Sequence, residues 1–149
     1  MNAEDFCTYE QALALKKLGF RESCLYHYNI LNELVPNQFN AEDETITVED
    51  LYDSLNTDTK SKIVCDVPTL AQAQKWLRNG KGLSVEPFTS LKKGKYTFEI
   101  IYVETGFEYN SSKTSSYLLD SYEEALSVGI DVCLKLLEDG TNRRAETNS

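Results

Sequence analysis

The sequence predicts an α+β fold: a small antiparallel sheet with helices packed on one face. Three observations carry this. Pro68-Thr69-Leu70-Ala71-Gln72 and Ser121-Tyr122-Glu123-Glu124 are helix starts of the capping-box kind. In each, the hydroxyl accepts from the backbone N–H three residues on, and the Gln or Glu there reaches back to the first N–H. The run from Tyr96 to Val103 is rich in aromatic and β-branched residues and reads as extended chain. A chain of 149 residues with 41% hydrophobic content suits one domain with a buried core. The expected core order is α-β-β-β-α, preceded by an N-terminal helix and a short hairpin. Residues 1–141 are expected to form the domain and 142–149 a disordered tail.

In chain order, Thr8-Tyr9-Glu10-Gln11 is a further capping box and opens a helix from Tyr9 to Leu18. Ala12, Leu15 and Leu18 make its buried edge, and Gly19 caps it. Thr8-Tyr9-Glu10-Gln11-Ala12-Leu13 echoes Ser121-Tyr122-Glu123-Glu124-Ala125-Leu126. Shared capping chemistry accounts for that echo as well as an internal repeat does. Cys24 to Tyr28 alternates as a short strand, Asn29 to Asn32 is a turn, and Glu33 to Val35 pairs back. Residues 40–44 form an acidic loop, Thr47-Val48-Glu49-Asp50 opens a short helix through Leu55, and 56–61 is a polar connection.

After Thr69, the residues Leu70, Ala73, Trp76 and Leu77 fall on one side at helical spacing, and Asn79-Gly80 stops the helix. Leu83 to Phe88 is the hairpin partner of the Tyr96–Val103 strand, with Lys92-Lys93-Gly94-Lys95 in the connection. Pro87 lacks a ladder donor, which places it at an edge or a bulge. Thr105 to Thr114 is a polar loop and Ser115 to Leu119 a third strand. The last helix has an apolar face of Ala125, Leu126, Gly129, Val132, Cys133, Leu136 and Leu137. Gly129 on that face marks close passage of a strand, and Gly140 ends the helix.

The formal net charge is −9. It divides into −8 over residues 1–60, +5 over 61–98 and −6 over 99–149. Whole-chain acidity argues against general affinity for nucleic acid, so any such contact must use the middle segment. Cys7, Cys24, Cys65 and Cys133 show no CxxC, and His27 is the one histidine. That pattern argues against a zinc site and against a disulfide framework. The acidic opening Met1-Asn2-Ala3-Glu4-Asp5 has no apolar run, so the expectation is a cytoplasmic protein with no membrane contact.

The helix start Pro68–Arg78, the strand from Tyr96 to Tyr102, Ser121–Leu126, and Thr8–Leu13 with Leu18-Gly19-Phe20 form a recognisable set. The set resembles a family of small uncharacterised proteins of Bacteroides-type gut bacteria, their phages and mobile elements. It covers about two-thirds of the chain. The resemblance implies a setting and supplies no catalytic residues.

Catalytic patterns are missing. There is no P-loop, no GxGxxG and no calcium-loop spacing, and His27 lies in an alternating strand with nothing marking a nucleophile beside it. The carboxylate pairs Glu49-Asp50 and Glu123-Glu124 sit at helix starts, where capping and the helix dipole explain them. The expectation is therefore no enzyme and no cofactor, with another protein as partner. The expected contact surface is Tyr102, Phe107, Tyr109 and Tyr117 with neighbouring acids. One alternative is a nucleic-acid contact through Lys75, Arg78, Lys81, Lys92, Lys93 and Lys95. The helix–strands–helix order also occurs in double-stranded RNA-binding domains, but Glu123 and Glu124 would repel phosphate at the final helix. Another alternative is an acidic DNA mimic presenting carboxylates from 42–58 and 120–139.

Overall fold

A computed structural model describes residues 2–37 and 63–147. The fold is α+β, with helices interspersed among two small antiparallel sheets. The helix expected over 47–55 and the connections at 40–44 and 56–61 lie outside the described residues. The chain divides into two compact units, residues 8–68 and residues 1–7 with 69–149.

In the first of these, α1 (Tyr9–Lys17) is opened by the expected capping box. Thr8 Oγ1 accepts from the Gln11 N–H at 3.2 Å, and Gln11 Oε1 accepts from the Thr8 N–H at 2.8 Å. Ala12 and Leu15 are buried. β1 (Tyr26–Asn29) and β2 (Leu34–Pro36) form the expected hairpin. Its turn is built by buried Asn29, whose Oδ1 accepts from the Leu31 and Glu33 N–H groups at 3.0 and 2.9 Å. A strand the sequence reading did not assign, β3 (Ile63–Val67), pairs with the other edge of β1 and gives the order β2-β1-β3. α1 packs on β3, where Lys16 Nζ donates to the Val64 carbonyl at 2.8 Å.

The second unit begins with a single 3-10 turn at Ala3–Asp5, after which Phe6 forms an antiparallel bridge with Thr69. α2 (Leu70–Lys81) carries the Thr69–Gln72 capping box. It does not stop at Asn79-Gly80. It runs on to Lys81 and closes at Gly82, whose φ of 70° is the left-handed conformation a glycine adopts without a Cβ clash. β4 (Leu83–Thr89) then pairs with β5 (Tyr96–Tyr102) from Leu83↔Tyr102 to Thr89↔Tyr96. The Val103 N–H donates to the Gly82 carbonyl and the Ser90 N–H to the Lys95 carbonyl, each at 2.9 Å. Antiparallel alternation therefore turns the backbone groups of Leu83, Val85, Pro87 and Thr89 to the outer edge. Pro87 sits on that edge, where its missing N–H costs no ladder bond. α2 covers part of the same edge, since Gln74 Nε2 donates to the Val85 carbonyl at 2.7 Å.

Ser115–Leu119 does not form the expected third strand. The chain returns along the far edge of β5 through two isolated bridges, Ile101↔Glu108 and Tyr96↔Leu119. These bridges do not share a register, and the surplus chain between them winds into the short α3 (Ser111–Thr114). Thr97 Oγ1 donates to the Thr114 carbonyl at 3.2 Å and ties this turn to the sheet.

α4 (Tyr122–Thr147) packs on β4 and β5. Ser121 Oγ accepts from the Glu124 N–H at 3.1 Å. The Glu124 carboxylate reaches the Asp120 N–H at 3.3 Å, one residue before the expected partner. Ala125, Leu126, Ile130, Cys133 and Leu134 are buried, while Val132, Leu136 and Leu137 are half-buried. The stripe is thus rotated slightly from the sequence assignment. Gly129 is a close-approach site, as expected. A Cβ there would lie 2.4 Å from Val85 Cγ1 and 3.2 Å from Phe98 Cδ2. Gly140 does not end the helix, which continues to Thr147. An interior glycine costs about 1 kcal/mol of propensity and does not break a helix by itself.

Candidate functional site

The end of the second unit where α2 finishes and β4 begins holds a cleft of about 450 Å³. Leu83, Tyr102, Tyr109, Leu136 and Leu137 supply its apolar lining, and Lys81 and Asp139 bring opposite charges to it. The geometry follows from the register. Leu83 and Tyr102 are cross-strand partners at the open end of the hairpin. The Tyr102 N–H donates to the Phe107 carbonyl at 2.9 Å, the Gly106 N–H to the Tyr102 carbonyl at 2.7 Å, and the Tyr109 N–H to the Ile100 carbonyl at 2.7 Å. This turn brings three aromatic residues together. The Tyr102 and Tyr109 rings meet edge to face, with centroids 6.4 Å apart and planes at 83°. Phe107 is 73% exposed. α4 runs past the end of the strands and closes the cleft with Leu136, Leu137, Asp139 and Gly140.

Three of the four expected contact residues, Tyr102, Phe107 and Tyr109, therefore share one end of the unit. Tyr117 does not join them. Its ring packs on Phe98, with centroids 5.3 Å apart, near the middle of β5. Leu83, Leu136 and Leu137 complete the site; from the sequence, Leu83 opens a strand and the other two lie on the apolar face of the last helix. The signal was there in the length of the last apolar helix, which outruns its strands.

The basic residues do not form one patch. Lys75 and Arg78 lie on α2, and Lys81 sits at its end with Nζ 5.5 Å from the Trp76 ring centroid. Lys92 and Lys93 are exposed in the turn at the opposite end of the hairpin. Lys95 forms an ion pair with Asp120, which raises its pKa. Of the acids considered for DNA mimicry, those at 42–58 lie outside the described residues, and Asp120 is engaged with Lys95.

A second polar grouping lies in the unit formed by 8–68. His27 is buried, with Nδ1 2.6 Å from Asn37 Oδ1. Asn37 Nδ2 donates to the Cys24 carbonyl at 2.7 Å and approaches Asp66 Oδ1 at 3.4 Å. Among the described residues, His27 Nε2 is the one buried side-chain nitrogen or oxygen without a hydrogen-bond partner. Burial, with Asp66 and Glu22 nearby, pushes the Cys24 thiol up to about 12. That leaves almost no Cys24 thiolate at neutral pH. Burial also pushes Cys133 up to about 12. None of the four cysteines is in a disulfide. Among the described residues no group of three His, Cys, Asp or Glu is placed to hold a metal ion, and no helix is long and apolar enough to cross a membrane.

Comparison with family models, with curated proteins and with solved structures returns no match.

Proposed function

We propose that this chain is a non-catalytic cytoplasmic accessory protein that acts by binding another protein through its aromatic cleft. The observation that carries this reading is the joint presence of exposed Phe107, the Tyr102–Tyr109 pair and a 450 Å³ cleft at one end of one unit. Aromatic side chains around a concave site are what protein anchors require, because they desolvate readily and lose little rotamer freedom. The cleft volume lies within the ~300–1,000 Å³ range of binding sites. The setting, a phage or mobile element of Bacteroides-type gut bacteria, comes from the family resemblance. The high thiol pKa values of Cys24 and Cys133 favour binding over thiol chemistry.

Affinity capture from the native host tests the reading. The wild-type chain and a Lys75→Ala control should retain the same partner, and Tyr102→Ala/Phe107→Asp should lose it. Retention by the double variant would overturn the assignment of this surface.

A further inference from the structure

We draw no further inference here: the strongest candidate, the side-chain cluster of buried His27 with Asn37 and Asp66 on the β2-β1-β3 sheet, leaves His27 Nε2 without a hydrogen-bond partner among the described residues but brings together no set of groups there that could hold a metal ion, and nothing in the structure shows what else would meet that nitrogen.

Discussion

Gly129→Ala sets two effects of known sign against each other. Alanine gains about 1 kcal/mol of helix propensity over glycine. The new Cβ would lie 2.4 Å from Val85 Cγ1, and 3.2 and 3.3 Å from Phe98 Cδ2 and Cγ. Carbon pairs prefer about 3.5–4.0 Å, so the contact with Val85 is short by more than an ångström. Val85 is 0% and Phe98 1% exposed, and valine has little χ1 freedom, so neither side chain can swing aside cheaply. Overpacking of this kind costs about 1–3 kcal/mol. The expected net result is destabilisation by about 1 kcal/mol. In a Val85→Ala background the offending methyl is gone and the new Cβ fills the space, so the same substitution should stabilise by about 1 kcal/mol. The two backgrounds should thus differ by about 2 kcal/mol, well above the scatter expected for independent sites. Urea unfolding followed by fluorescence reads the relevant unit, because Trp76, the one tryptophan, lies on α2 of that unit. If Gly129→Ala stabilised the wild-type chain by its full propensity gain, the sheet would not lie against this helix as described.

Other perturbations address the polar groups. Glu99 pairs with Glu86 across the strands, and burial, followed by Glu108 and Glu86, raises its pKa above the usual value of 4.5. A carboxyl with a raised folded pKa takes up a proton on folding, so its contribution to stability is fully present below the unfolded value and is lost as pH rises through the folded one. Glu99→Gln should therefore stabilise at neutral pH by about 0.2–0.5 kcal/mol, with the gain vanishing below about pH 4, as read by thermal unfolding across pH. Asn37→Ala removes the partner of His27 Nδ1 and the donor to the Cys24 carbonyl. It should cost about 1–3 kcal/mol in chemical denaturation, and a neutral result would refute the described network. Cys24 should react slowly with a thiol reagent at pH 7.5 despite its partial exposure. Asp66→Asn, by removing a neighbouring negative charge, should speed it. An unchanged rate would contradict the electrostatic cause.

What the sequence made legible was local. Hydroxyl-led helix starts at Thr8, Thr69 and Ser121 depend on residues three apart, and all three appear, the last with its reciprocal bond moved to Asp120. Gly129 was readable because a glycine on an apolar stripe needs a packing reason. Long-range features were harder to see. β3 is only five residues long and gains its identity from pairing with β1, far away in sequence. The run 115–119 has strand-like residues but too much chain to lie flat along β5, and α3 takes up the difference. The same limit applies to the cleft. Tyr102, Phe107 and Tyr109 are close in sequence and could be grouped, whereas Leu136 and Leu137 join them only through the packing of α4. Residue type alone groups Tyr117 with them, but its ring packs on Phe98 because its segment returns along the sheet.

The bridge between Phe6 and Thr69 joins two segments that leave the ribosome far apart in time. The opening residues of the chain belong to a body whose remainder is synthesised last, with the whole 8–68 unit emerging between them. Closing a floppy loop of this size would cost about 4 kcal/mol in chain entropy. α1 packs on β3, with Lys16 bonded to Val64, so prior folding of the intervening unit draws its own two ends together and lowers that cost. Trimming the first seven residues would consequently injure the half of the protein that is translated latest.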